Sequence, residues 1–125
     1  FSSATPDATP NALVSLPQFE LQLDAATNAK TLFVVRFTAP WCPLCVHAKE
    51  EVEACVRTYG VTAAVIDVGD STDLAEHFEV TKLPRVMVYH GQERVADIVG
   101  RCEGELSNVC KEYVFLGGVA SVEDF

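Results

Sequence analysis

The sequence predicts an α/β domain with a central mixed β-sheet flanked by helices on both faces. Three observations carry this. Short apolar runs rich in β-branched and aromatic residues alternate with stretches at helical spacing, the pattern of strands joined by crossover helices. The last two runs flank a glycine-containing turn with no helix between them, so the sheet closes on an antiparallel hairpin. The chain has 125 residues, 49% of them hydrophobic, which suits one folded domain and excludes wholesale disorder.

Residues 1–11, FSSATPDATPN, hold almost nothing to bury and are expected to form a flexible N-terminal extension, leaving 12–125 as the domain. The apolar run 12–16 is expected to be a first strand. Pro17 then opens a helix to about residue 26, with Phe19, Leu21 and Leu23 as its anchors. Residues 32–37, LFVVRF, read as a strand buried on both faces. A helix over 43–59 places Cys45, Val52, Val56 and Tyr59 along one stripe, with Glu50, Glu51 and Glu53 largely opposite. Pro43 fits its first turn and Gly60 ends it. Residues 63–68 form the next buried strand, and the polar run 70–73 caps a short helix through Phe78. Strands over 85–90 and 94–99 flank Gly91-Gln92. A last helix over 105–116 aligns Leu106, Val109, Cys110, Tyr113 and Val114.

Charge and cysteine usage narrow the function. Eighteen Asp and Glu against nine Lys and Arg give a net charge of −9. Such a surface repels phosphate backbones and excludes a nucleic-acid partner. No run approaches the roughly 18–20 apolar residues that cross a bilayer, so no membrane role and a soluble protein are expected. The five cysteines, Cys42, Cys45, Cys55, Cys102 and Cys110, are an odd number. An evenly paired secreted scaffold is thereby disfavoured over a reducing compartment holding one working pair. Phe1-Ser2-Ser3 is compatible with the remnant of an organellar presequence, and Val-Glu-Asp-Phe at the end is no retention signal. The expected localisation is intracellular, in the mitochondrion or the cytoplasm.

The strongest chemical signal is Trp41-Cys42-Pro43-Leu44-Cys45 between a buried strand and a helix. Two cysteines three apart at a helix start close a small disulfide with little backbone motion. Cys42 faces the unpaired N–H groups and positive dipole end of the helix, which lower a thiol pKa and favour the attacking thiolate. Cys45, one turn inward, is placed to resolve the mixed disulfide that Cys42 forms. Zinc ribbons also use CxxC, but no second pair of ligands stands at matching spacing, so no metal site is expected.

With Phe37-Thr38-Ala39-Pro40 ahead of this motif, Asp67 in Val-Ile-Asp-Val, Leu83-Pro84 before the hairpin and Gly100 after it, the chain resembles the thioredoxin family over about residues 12–116. The resemblance implies the thioredoxin fold and thiol–disulfide oxidoreductase activity. It implies a cis Pro84 opposite the motif, with the Leu83 backbone pairing with an extended substrate segment. It further implies a substrate groove shaped by Trp41, Pro40, Pro43, Leu83, Pro84 and Gly100, where Gly100 leaves room for the substrate backbone. Protein disulfides are the implied substrates. The implied electron donor is a thioredoxin reductase or a low-molecular-weight thiol, glutathione or trypanothione. The dithiol itself carries two electrons, so no cofactor is expected, and the chain is expected to be a monomer.

Several positions depart from the family. Pro43-Leu44 replaces the usual Gly-Pro and is closer to the Cys-Pro-x-Cys of tryparedoxins and glutaredoxins. Val46 stands where many relatives have Lys, and Glu50 where they have a kinking Pro, so the helix is expected to run straighter. Arg36 occupies the place of the Asp commonly buried beneath the second cysteine, and Val65 that of its Lys partner. A lone cation thus replaces a buried ion pair, with Asp67 or a water as its expected partner, or with its head snorkelling to the sheet edge. Near the sulfurs, Arg36 would stabilise thiolate without accepting a proton, making the disulfide more oxidising than in a typical thioredoxin.

His47 is expected to face solvent, with acid–base or metal-ligand roles as alternatives, and His77 and His90 to lie at the surface. Cys55 and Cys110 are assigned to packing. Cys102 is assigned to a surface or half-buried thiol, with redox regulation as the alternative. The rival functional reading is a binding or adaptor module, or a metal or iron–sulfur cluster holder, on the same fold.

Overall fold

The computed structural model describes residues 11–100 and 104–123, with side chains through Val114. In chain order it contains β1 (Asn11–Ala12), α1 (Leu16–Ala29), β2 (Phe33–Thr38), α2 (Cys45–Tyr59), β3 (Thr62–Asp67), α3 (Thr72–His77), β4 (Arg85–His90), β5 (Glu93–Val99) and α4 (Glu105–Glu123). The strands form one sheet in the order β1-β3-β2-β4-β5. β1, β3 and β2 run parallel, while β4 runs antiparallel to both β2 and β5. This is the mixed sheet that the alternating pattern and the closing hairpin predict.

Side chains alternate across the central strand, and the two faces build two cores. Phe33, Val35 and Phe37 pack with Phe19 and Leu23 of α1, Leu74 of α3 and the neighbouring Phe78. Val34 packs on the other side with Ala48, Val52 and Cys55 of α2 and Leu106 and Cys110 of α4. β2 is buried on both faces, as its apolar run requires. The first core is aromatic at its centre: Phe19 meets Phe78 at 4.9 Å, Tyr89 at 5.5 Å and Phe33 at 5.6 Å between ring centroids. Tilted and edge contacts of this kind add to the burial of the rings themselves.

The last helix runs on to Glu123 rather than 116, and three expectations nearer the N-terminus shift as well. The first strand is only Asn11–Ala12, not 12–16, because Ser15 takes an extended conformation and its side chain accepts the Gln18 N–H, starting α1 at Leu16. Asn11, expected in the extension, pairs with Ala64 in the sheet. Leu13 still joins the sheet through its N–H to the Val65 carbonyl at 2.9 Å. In α1 the anchors are Phe19, Leu23 and Ala26, one face at i, i+4 and i+7, whereas Leu21 is 69% exposed on the opposite face. The helix runs on to Ala29, where Lys30 at φ 62° turns its N–H back to the Ala26 and Thr27 carbonyls. Finally, α2 begins at Cys45 rather than Pro43, and its buried stripe is Cys45, Ala48, Val52 and Cys55. Residues 1–10 of the expected extension lie outside the described residues. No helix among the described residues is long and apolar enough to cross a membrane.

The hairpin closes through Gly91-Gln92, with His90 paired to Glu93 and Gly91 at φ 63°. A tight two-residue loop needs positive φ at its first position, which glycine supplies without a Cβ clash. Across the hairpin, Arg85 holds Asp97 with both ends of its fork: Nε donates to Oδ1 at 2.8 Å and Nη2 to Oδ2 at 2.7 Å. Arg85 Nη1 also donates to the Glu79 carbonyl at 3.2 Å, tying the edge of the sheet to the turn after α3. The Arg85 hydrogen bond is the main reason the Asp97 carboxyl is held below the usual carboxylate range.

Asp97→Asn is expected to lower stability by about 1 kcal/mol at neutral pH, since the pair is partly open to solvent. A depressed folded pKa gives stability that is complete above the unfolded value and is lost as pH falls through the folded one. Thermal melts from pH 7 downward should therefore show the gap between wild type and Asp97→Asn narrowing below about pH 4.

Candidate active site

β2 delivers the chain to one end of the sheet at Thr38, and the next residues turn sharply into α2. The Cys42 N–H donates to the Ala39 carbonyl at 3.1 Å, and the Cys45 N–H donates to the Cys42 carbonyl at 3.1 Å. The N–H groups of Val46 and His47 likewise reach back three residues, to Pro43 and Leu44 at 3.4 and 3.2 Å. Pro43-Leu44 is thus a tight turn leading into the helix rather than its first two residues.

Cys42 and Cys45 are joined by a disulfide, with their Cα atoms 5.5 Å apart. They are not equivalent. Cys42 is partly exposed, whereas Cys45, the first residue of α2, is 4% exposed and packs inward. One residue of the pair is open to solvent and the other is sheltered. Beside Cys42 lies a groove of about 370 Å³ lined by Trp41, Cys42, Pro43, Leu44, Thr81 and Leu83. Trp41 and Leu44, 67% and 46% exposed, give it an apolar rim. A solvent-facing tryptophan and leucine beside a reactive disulfide mark a surface shaped to be covered.

The Leu83–Pro84 peptide is cis, and Pro84 itself is fully buried. The Pro84 carbonyl accepts the Gly100 N–H at 2.8 Å, which brings the end of β5 beside the proline. Gly100 has φ 91°, and a Cβ there would meet nothing within 4 Å among the described residues. The visible requirement for glycine at this position is therefore backbone conformation. The structure thus gathers Trp41, Cys42, Pro43 and Leu83 around one groove, with Pro84 next to Leu83 in the chain and Gly100 bonded to Pro84.

Asp67 does a different job from the one expected. It does not pair with Arg36. Its Oδ1 accepts the N–H groups of Gly69 at 2.8 Å and Asp70 at 3.3 Å, closing the turn after β3. Gly69 in that turn lies against the Trp41 ring: a Cβ there would stand 3.2 Å from Trp41 Cη2 and 3.2 Å from Asp67 Oδ1. Asp67 therefore shapes the loop on which the indole rests.

Arg36 is largely enclosed, 8% exposed. On β2 it lies between Val65 of β3 and Val86 of β4, on the face covered by α2. Its Nε is buried and has no hydrogen-bond partner among the described residues. Burial pushes its pKa down, and Glu53 on α2 partly opposes this.

Sequence reading missed Leu44, Thr81 and Gly69 as parts of the site. Leu44 was legible as the exposed residue inside the motif; Thr81 and Gly69 carry no local signal. His47, His77 and His90 are exposed. Cys55 and Cys110 are free and buried, and Cys102 lies outside the described residues. Among the described residues, no group of three or more His, Cys, Asp or Glu is arranged to hold a metal ion.

Comparison with known proteins agrees with this geometry. The thioredoxin family model matches residues 13–112. The chain is 32% identical over 96 residues to thioredoxin of Ophiophagus hannah, covering 76% of this chain and 91% of that protein. It is 32% identical over 101 residues to thioredoxin of Gallus gallus, covering 80% and 94%. The crystal structure of thioredoxin NaTrxh from Nicotiana alata superposes with a TM-score of 0.71 at 27% identity, covering 87% of this chain and 95% of that one.

Trp41 is the single tryptophan of the chain, so its fluorescence reports this loop alone. Gly69→Ala is expected to displace the indole, changing its emission maximum and intensity, while costing less than about 1 kcal/mol of stability. An emission spectrum superposable on wild type would show that the ring does not rest on Gly69.

Proposed function

The chain belongs to the thioredoxin family of thiol–disulfide oxidoreductases, and on that premise we propose that it exchanges its Cys42–Cys45 pair with protein disulfides at a potential more oxidising than that of a typical thioredoxin. The observation that carries this reading is the asymmetry of the pair: Cys42 opens on an apolar groove, and Cys45 sits buried behind it.

In the reducing direction, the Cys42 thiolate attacks one sulfur of a substrate disulfide. A mixed disulfide forms, and the first substrate thiolate leaves. Cys45 then loses its proton and attacks the Cys42 sulfur, restoring the Cys42–Cys45 bond and releasing the second substrate thiolate. Two electrons pass from the dithiol to the substrate. A thioredoxin reductase or a small thiol, glutathione or trypanothione, returns them. Trp41, Leu44, Thr81 and Leu83 supply contact area for the substrate chain, and the backbone of Leu83 suits strand addition. The mitochondrion or the cytoplasm, where thiols stay reduced, suits a chain whose Cys55 and Cys110 are free.

The finer reading, a raised potential, rests on Arg36. A cation on the α2 side of the sheet, beneath the helix that begins with Cys45, favours negative charge on the motif's sulfurs. Stabilising thiolate stabilises the reduced form, and a more stable reduced form makes a stronger oxidant.

Cys42→Ser is expected to abolish disulfide reduction in an insulin-turbidity assay. Cys45→Ser should instead trap Cys42 in a mixed disulfide visible on a non-reducing gel. If Cys42→Ser retains activity, the assignment of the attacking sulfur is wrong.

Arg36→Met keeps most of the side-chain volume and removes the charge. It should raise stability by on the order of 1–3 kcal/mol, because a buried cation lacking compensation is costly. It should also move the reduction potential measured against glutathione about 30 mV more negative, a tenfold change in the equilibrium. An unchanged potential alongside raised stability would confine Arg36 to a structural role.

A further inference from the structure

A cleft of about 480 Å³ lies at the end of the sheet opposite the redox motif, where α1 and α2 finish and β2 begins. β2 is six residues long, so at about 3.3 Å per residue the cleft stands about 20 Å from the turn that carries Cys42. It is larger than the groove beside Cys42 and of a size that holds a small organic molecule. The exchange reaction makes no use of it. Much of its lining is apolar: Leu32, Tyr59, Tyr113 and Val114 line it, and all four belong to the core on the α2 and α4 side of the sheet. The His90 ring, at the end of β4, meets the Tyr113 ring with centroids 5.4 Å apart. Gly60 and Gly91 also line the cleft, and a Cβ at either would meet nothing within 4 Å among the described residues, so the backbone there faces open space.

The polar groups of the cleft divide in two. Its threonine hydroxyls are already engaged: Thr27 Oγ1 donates to the Leu23 carbonyl at 2.9 Å and accepts from Gln92 at 3.0 Å, and Thr31 Oγ1 lies 2.7 Å from Thr62 Oγ1. Lys30 and His90, by contrast, make no side-chain hydrogen bond or ion pair among the described residues. No Asp or Glu among the described residues lines the cleft, although the chain carries 18 of them against nine Lys and Arg. The dipole of α1 accounts for a cation at its C-terminal end, but not for the company of His90 or the lack of any carboxylate. We propose that this cleft binds a monocarboxylate with an apolar body, straight-chain or aryl, whose acid head meets Lys30 and His90. Burial of the body against the tyrosines supplies affinity, and the charge-assisted bond selects the head.

The test is an NMR titration of the isotope-labelled full chain with octanoate and with phenylacetate. The expected result is saturable shifts of the Lys30, Thr31, Gly60 and Gly91 amides, half-complete at about 1 mM or below, with Trp41, Cys42 and Leu83 unmoved. Whichever of the two acids binds more tightly identifies the body. Octyltrimethylammonium and octanol carry the same chain without the negative head and should bind at least about tenfold more weakly. Lys30→Gly should weaken octanoate about tenfold, and adding His90→Gln should weaken it further. Glycine adopts the φ of 62° found at Lys30 without strain, so the first variant leaves the end of α1 intact. The absence of a saturable shift with either acid, an equal response to octyltrimethylammonium, or shifts confined to the Cys42 groove overturns the proposal. The comparison of head groups on wild type decides it even if the variants fold poorly.

Discussion

Burial of β2 between two helical layers is the constraint on which the rest of the structure depends. Every side chain from Phe33 to Phe37 is enclosed, on one face by the aromatic cluster around Phe19 and on the other by α2 and α4. A strand held this way ends at a definite point, and the turn beyond it emerges at one end of the sheet with little freedom. Cys42 is placed by that turn, Cys45 by the helix that follows, and the groove by the Thr81–Leu83 segment leading into β4. The reactive disulfide is thus a consequence of where a buried strand stops.

The same constraint makes Arg36 unusual. Its neighbours on β2 are apolar, and the register leaves it flanked by Val65 and Val86. A guanidinium enclosed in this way loses hydration that Glu53 returns only in part. Proteins tolerate such a cost chiefly where the charge acts on something close by. The neighbouring layer is α2, whose first residue is one of the two redox sulfurs. On the opposite face, the Arg85–Asp97 fork secures β5 and holds the hairpin against the turn after α3.

Much of this was legible residue by residue, because it is local. The Trp41–Cys45 motif, the β2 run, the Gly91 turn and the alternation of β4 are patterns of neighbours, and local chemistry sets their conformation. The first strand was misread because 12–16 is apolar enough to extend, yet Ser15 caps a helix inside it. Leu21 was misread because an apolar residue two positions from an anchor lies across the helix. Asp67 was read as a charge partner, but its nearest donors are the two N–H groups that follow it in its own turn.

The sequence by itself determined the mixed α/β architecture and the chemistry at Cys42 and Cys45, since periodicity, turn residues and the three-residue spacing of two thiols act over a few positions. Only the tertiary structure decided that Arg36 is enclosed, that Trp41 rests on Gly69, that Thr81 lines the groove, and that Cys55 and Cys110 share one buried core. These are contacts between segments far apart in the chain, and they exist only once the two layers have closed on the sheet and shut out water.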